Sequence, residues 1–80
     1  MIDKKEIEDT VICLTKRHVS KGTTVTLESR LIDDLKLEHD YMYLIIDIDR
    51  RYGQRITPAA FESVRTISDL VDLYYKHLSA

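Results

Sequence analysis

The chain has 80 residues and a net charge of −2; 44% of its residues are hydrophobic and 32% are charged. This composition excludes a disordered chain and, because no long apolar run is present, a membrane-spanning helix. A chain of this length buries only about 60% of the surface that its unfolded form exposes, so we expect a single domain, residues 1–80, with one small core.

Turn-forming residues and cysteines are scarce. Two glycines and one proline favour a helical protein, and the single cysteine, Cys13, favours a reducing, cytoplasmic environment. The charge is uneven, since residues 28–49 hold seven acidic and two basic side chains. The Lys and Arg side chains are scattered and form no basic stripe, so the sequence does not indicate nucleic-acid binding.

The first predicted helix spans residues 3–18. Asp3 is placed to cap it, and Glu6 three residues later completes a capping box. Its apolar stripe has helical spacing and comprises Ile7, Val11, Leu14 and His18. The pair Lys21–Gly22 ends the helix. The β-branched residues 23–27 are expected to form an extended loop, because no second strand is available to pair with them.

The second predicted helix follows Asp40, which is expected to cap it, and ends at Gly53, a residue suited to a left-handed C-terminal position. Its core stripe comprises Tyr41, Leu44, Ile45, Ile48 and Tyr52. The residues left outside the core are Met42, Tyr43, Ile46, Asp47 and Arg50. Three of them are large and apolar, and exposed clusters of this kind commonly mark a binding surface. The alternative is that the third helix covers Met42 or Ile46, which would then belong to the core.

Two further helices complete the predicted order, so the fold class is all-α. Pro58 suits the first position of a short third helix with Phe61 and Val64 facing inward. Thr66 begins the last helix, where its hydroxyl and the Asp69 carboxylate can each accept a hydrogen bond from a free amide. The buried stripe of this helix comprises Ile67, Leu70, Val71, Tyr74 and Leu78.

This order of elements, with a loop over residues 21–39, resembles the acyl carrier proteins. The loop carries the apolar anchors Val25, Leu27, Leu31, Ile32 and Leu35. The likeness covers roughly residues 25–78 through RLIDDLKL before the second helix, DIDRRYGQRITP at its end and VRTISDLVDLY leading into the last helix. The resemblance implies a four-helix bundle of acyl carrier protein type, with a long loop between helices one and two and a short third helix.

The attachment site of these carriers is changed in this sequence. Members of the family present Asp-Ser-Leu at the start of helix two, and the serine hydroxyl holds 4′-phosphopantetheine as a phosphodiester. Here Glu38 matches the Asp, His39 falls at the serine, one residue is missing before Asp40, and Lys36 replaces a family glycine. We therefore expect no cofactor. The alternative is a divergent acyl or peptidyl carrier of fatty acid, polyketide or secretion-associated biosynthesis, with the arm on another residue.

Without the arm, the resemblance implies only a surface for other proteins. We expect a non-enzymatic module that binds a partner protein, either a biosynthetic enzyme or a second copy of itself, through helix two and the acidic loop before it. The expected contact residues are Asp33, Asp34, His39, Met42, Tyr43, Ile46, Asp47 and Arg50. Because Arg50 and Arg51 dilute the acidic face of the family, a fatty acid enzyme with a generic basic patch is not the expected partner.

No catalytic or metal-binding residue is predicted. The ligand-type side chains of the loop are interpreted as a solvated acidic turn near a helix N-terminus rather than as a weak Mg²⁺ or Ca²⁺ site; they are Asp33, Asp34, Glu38, His39 and Asp40. Cys13 and His18 lie five residues apart and do not share a helix face, so they do not form a nucleophile and base pair. Cys13 is interpreted as a small packed hydrophobe.

Overall fold

The computed structural model describes residues 3–79, and its regular structure is helical. Helix α1 spans Lys4–Lys16, α2 spans Tyr41–Tyr52, a 3-10 helix spans Pro58–Phe61 and α3 spans Ile67–Ser79. No strand occurs within residues 3–79, which confirms the all-α prediction. Helix α3 is the predicted last helix, and the predicted short third helix is the four-residue 3-10 helix.

Helix α1 begins where its capping signal predicts. The Lys5 amide donates a hydrogen bond to Oδ1 of Asp3 over 3.0 Å. The helix ends at Lys16 rather than at residue 18. The reason is that the Arg17 amide donates to the Leu14 carbonyl over 3.2 Å, an i→i−3 bond that tightens the last turn.

The long connection between α1 and α2 is a loop, as predicted, and its backbone is bonded to the start of α3. The Leu31 amide donates to the Arg65 carbonyl over 2.9 Å, and the Ile67 amide donates to the Ser29 carbonyl over 3.0 Å. The two segments form an isolated antiparallel bridge. This bridge satisfies backbone groups that an unpaired extended segment would leave open.

Apolar side chains of the loop enter the core, with two differences from the prediction. Val25, Leu31 and Leu35 are buried as expected. The expected anchor Ile32 is 43% exposed, because it lies in a hydrogen-bonded turn that directs Leu31 and Leu35 into the core and leaves Ile32 on the outer side. Leu37, which the prediction left out of the core, is fully buried.

One hydrophobic core lies between the loop and the three α-helices, with α1 packed against both α2 and α3. Its buried members are Ile7, Val11, Val25, Leu31, Leu35, Leu37, Leu44, Ile45, Ile48, Ile56, Ile67, Leu70, Val71 and Tyr74. The predicted inner faces of α2 and α3 are confirmed, with Tyr41, Tyr52 and Leu78 half-buried at the edge. The end of the predicted α1 stripe is less buried, since Leu14 and His18 are both half-buried.

Two helix ends follow their predicted signals. Gly53 has a φ of +63° after the last turn of α2. At the start of α3, the Asp69 amide donates to Thr66 Oγ1 over 3.1 Å and the Thr66 amide donates to Asp69 Oδ2 over 3.2 Å. These reciprocal bonds form the predicted capping box. None of the helices within residues 3–79 combines the length and the apolarity that crossing a membrane requires.

Candidate functional site

The segment before α2 is a tight turn held by a buried leucine. Lys36 has a φ of +56°, a left-handed conformation that residues with a Cβ rarely adopt. Leu37 beside it is fully buried, and its carbonyl accepts the Tyr41 amide over 2.9 Å. This single i→i−4 bond closes one turn of the chain just before α2 begins at Tyr41.

The side chains at the start of α2 are polar and exposed. Glu38, His39 and Asp40 all face solvent. Asp40 occupies the N-cap position, but its backbone is in the right-handed helical region and its side chain makes no capping bond. The prediction that Asp40 caps α2 with its side chain is therefore wrong, because a capping side chain reaches the first free amides from an extended backbone, which Asp40 does not have.

Hydroxyl groups are scarce around this turn. Residues 30–56 contain neither serine nor threonine. Ser29, just before this range, is buried, and its Oγ accepts the Thr26 amide over 2.9 Å. The start of α2 thus presents carboxylates and one imidazole to the solvent.

The two aspartates of the preceding loop bond to their own turn. The Arg30 amide donates to Asp34 Oδ2 over 2.8 Å, and this bond lowers the pKa of the Asp34 carboxyl. The Arg30 guanidinium also lies 3.5 Å from a carboxylate oxygen of Asp33 and 3.5 Å from one of Asp34. The acidic charge predicted to face a partner is therefore partly neutralised within the loop.

The outward side of α2 is apolar at its centre. Met42 is 61% exposed, Tyr43 is 62% exposed and Ile46 is 38% exposed. Arg50, one turn beyond Ile46, is exposed as well. The 3-10 helix lies beside Met42 and Ile46 but leaves both accessible, so they are not core residues.

Asp47 has an internal partner. Its Oδ2 lies 2.6 Å from Nε2 of His18, a half-buried pair that joins the end of α1 to the middle of α2. Asp47 therefore sits at the edge of the outward face rather than at its centre. No local sequence signal predicts this contact, since the two residues are 29 positions apart.

A cleft of about 200 Å³ separates α2 from the 3-10 helix and was not predicted from the sequence. Its lining is mostly apolar and comprises Tyr41, Met42, Ile45, Ile46, Asp49, Ile56, Pro58 and Phe61. The hydroxyl of Tyr41 is buried without a hydrogen-bond partner, and burial raises the pKa of Tyr41 to about 12. The sequence signal for this cleft was the presence of apolar residues on both sides of Gly53, because a tight turn there brings the two segments face to face.

The similarity of the chain to a known protein identifies its family. An acyl carrier protein from Thermotoga maritima is 34% identical to it over 55 residues, which are 68% of this chain and 68% of that protein. The chain belongs to the acyl carrier protein family. No family model matches it. Membership of the acyl carrier protein family points to a non-enzymatic protein that works with other proteins.

The residues with reactive side chains in this acyl carrier protein homologue are dispersed. Cys13 is exposed on α1, so its interpretation as a packed hydrophobe is wrong. His18 faces Asp47 rather than the thiol. Within residues 3–79, no three His, Cys, Asp or Glu side chains come close enough together to hold a metal ion.

Proposed function

We propose that this acyl carrier protein homologue carries no 4′-phosphopantetheine and acts by binding another protein through α2 and the acidic turn before it. The observation that carries the proposal is the exposed apolar side of α2, which follows a helix start without a hydroxyl group. The proposal includes a four-helix carrier arrangement in which the 3-10 helix takes the place of the short third helix.

The residues at the start of α2 do not fit the prosthetic group. A phosphodiester needs a hydroxyl oxygen, and the position that aligns with the carrier serine holds His39. An imidazole can accept a phosphoryl group only as a labile phosphoramidate. The first exposed hydroxyl beyond it is the phenol of Tyr43, within α2. Without an arm the protein forms no thioester and carries no acyl group.

The apolar centre of α2 supports the docking role energetically. Fully burying a side chain such as Met42 or Ile46 contributes roughly 1.5–3 kcal/mol. Part of that contribution is still available to a partner, since Met42 is 61% exposed and Ile46 is 38% exposed. Association also costs translational freedom and side-chain entropy, so a few such residues give a moderate affinity. Met42, Tyr43 and Ile46 form the centre of the proposed surface, and His39 and Arg50 lie at its two ends.

The absence of the arm is tested by intact mass. The protein is coexpressed with a broad-specificity phosphopantetheinyl transferase in the presence of coenzyme A, and a serine-bearing acyl carrier protein serves as the positive control. We expect the mass of the control to rise by one phosphopantetheine and the mass of this protein to stay unchanged. A gain of that size on any residue would contradict the proposal and favour the divergent carrier.

The docking role is tested with Ile46→Asp. The substitution places a charge at the centre of the surface, so we expect capture of a partner protein from the source cells to be lost while the helical circular dichroism is retained. Tyr75→Asp is the matched control, because Tyr75 on α3 is 36% exposed and Ile46 is 38% exposed. Capture that survives Ile46→Asp would refute the docking role, and loss of helical signal would show that Ile46 supports the core.

A further inference from the structure

Another cleft, between α1 and α2, is lined by two arginines. It has a volume of about 250 Å³, and the residues that line it are Asp9, Thr10, Cys13, Leu14, Arg17 and Arg51. These six residues define the arginine cleft. Arg17 is the residue that ends α1 and Arg51 lies in the last turn of α2, so the two guanidinium groups come from different elements.

The fold concentrates positive charge at the arginine cleft, although the chain has a net charge of −2. Residues 10–27 and residues 50–61 contain six Lys or Arg side chains and no Asp or Glu. These two segments include Arg17 and Arg51, which are brought together where α1 packs against α2. The cations are scattered in the sequence, so their accumulation comes from the packing of the helices.

Neither arginine of the cleft forms an ion pair inside the described part of the chain. The cations that form ion pairs within residues 3–79 are Lys4, Lys5, His18 and Arg30. Asp9 also lines the cleft, but its carboxylate lies 3.9 Å from Nζ of Lys5. Asp47, one turn before Arg51 on α2, lies 2.6 Å from Nε2 of His18. The two exposed arginine side chains can therefore bind an external anion.

We propose that the arginine cleft binds carboxylate side chains from an acidic segment of the partner protein. This inference rests on the proposed docking role of α2 and names the chemistry of the partner. The cleft continues the proposed surface, because Arg51 directly follows Arg50 at the end of that surface. A guanidinium group can donate two parallel hydrogen bonds to one carboxylate, so two arginines can hold two acidic residues.

The acidic middle of the chain disfavours larger anions. Residues 28–49 hold seven acidic and two basic side chains, and they include most of α2. A nucleic acid or an anionic membrane is extended enough to meet this segment as well as the cleft, and the segment would repel it. A short acidic peptide segment can reach the cleft alone. The expected partner thus places acidic residues beside the apolar side chains that cover the centre of α2.

The charge of the arginine cleft can be measured at Cys13, which lines the cleft, is exposed and is the single cysteine of the chain. Its modification rate is compared between the anionic sulfonatoethyl methanethiosulfonate and the cationic trimethylammonioethyl methanethiosulfonate, each relative to its rate with a small neutral thiol. The reactivity of the thiol itself affects both rates equally, so their ratio reports the local potential. We expect the anionic reagent to be preferred.

The double variant Arg17→Gln/Arg51→Gln should lower this preference at least about fivefold, because it removes both positive charges beside the thiol. Arg55→Gln is the matched control. Arg55 is an exposed arginine outside the cleft, so its loss should leave the preference unchanged.

Binding itself is tested with hexaglutamate as the probe and hexalysine as the charge control. Hexaglutamate should shift the amide NMR signals of residues 13–17 and of residue 51, and it should slow the modification of Cys13 by uncharged iodoacetamide. Both effects should weaken at least about fivefold in the double variant. Inorganic phosphate and phosphatidylglycerol vesicles are compared under the same conditions.

Every outcome decides the proposal. Equal preference for the two reagents overturns it, and the docking role still stands if Ile46→Asp abolishes capture of a partner protein. Protection of Cys13 by phosphate or by vesicles but not by hexaglutamate overturns the acidic segment as the ligand. If circular dichroism shows that the double variant is unfolded, the wild-type chain in about 0.5 M sodium chloride replaces it, where screening should remove most of the preference.

Discussion

At the scale of single residues, the clearest case of backbone strain is Lys36. Its φ of +56° costs an L-residue with a Cβ about 1–2 kcal/mol relative to the right-handed region. The turn persists because it places Leu37 in the core, fully buried, where its carbonyl also accepts the Tyr41 amide. The resemblance to acyl carrier proteins places a glycine at this position, and glycine is the residue best suited to this conformation.

Lys36→Gly should therefore stabilise the protein. We expect a gain of about 0.5–1 kcal/mol in the free energy of unfolding, because the relief of left-handed strain exceeds the added entropy of the unfolded chain. Urea denaturation followed by circular dichroism measures it. Lys36→Ala is the control, since it removes the long side chain but keeps the Cβ and should give no such gain. If both substitutions change the free energy of unfolding equally, the destabilisation at this position comes from the lysine side chain and not from the backbone conformation.

At the scale of the elements, the start of α3 organises more of the fold than a helix cap alone. Asp69 Oδ2 accepts the amides of both Arg65 and Thr66, over 3.0 and 3.2 Å. The same segment bonds the long loop through the Arg65 carbonyl and through the Ser68 amide, which donates to the Leu27 carbonyl over 2.8 Å. The same short segment therefore both caps α3 and anchors the long loop.

Asp69→Ala should destabilise the protein by about 1–2 kcal/mol, because it leaves the amides of Arg65 and Thr66 without their shared acceptor. Asp72→Ala is the matched control on the same helix. It removes the same charge but only the exposed pair with Lys4, which solvent screens. Chemical denaturation of both variants makes the comparison. If Asp69→Ala lowers the free energy of unfolding no more than Asp72→Ala does, water must hydrogen-bond the two amides as well as the carboxylate did.

At the scale of the whole molecule, three tyrosine hydroxyls at the edge of the core differ in whether they have a hydrogen-bond partner. The Tyr74 hydroxyl donates to Asp49 Oδ1 over 2.6 Å, and burial together with this bond raises the pKa of Tyr74. The hydroxyls of Tyr41 and Tyr52 are buried without partners. Tyr41 on α2 and Tyr74 on α3 both pack at the single core, so ionisation of either of these two phenols weakens the fold as a unit.

The unpartnered phenol predicts an alkaline transition. The pKa of Tyr41 is raised from 10.0 to about 12 by burial, so its contribution to stability is complete below pH 10 and is lost as the pH rises toward 12. Tyr41→Phe should stabilise the protein at pH 7 by about 1 kcal/mol and reduce the alkaline loss. Thermal unfolding between pH 7 and 12 tests this prediction. Tyr43→Phe, whose side chain is 62% exposed, should leave both quantities unchanged.

The sequence by itself determined the helices, because their signals are local. Apolar spacing, the capping box of Thr66 with Asp69 and the left-handed Gly53 act within a turn or two of the chain, so they can be identified from neighbouring residues. The same reasoning placed Met42 and Ile46 outside the core, where the structure has them. The lack of serine and threonine over residues 30–56 was also readable, since it depends on residue type alone.

Only the tertiary structure decided which side chains of the loops and helix edges are covered. Burial of Leu37, exposure of Ile32 and exposure of Cys13 depend on how distant segments pack, as does the contact between His18 and Asp47. The cleft beside α2 likewise exists only because the turn after that helix brings the 3-10 helix alongside it. Such contacts arise between residues far apart in the chain, and no local pattern specifies their distance or direction.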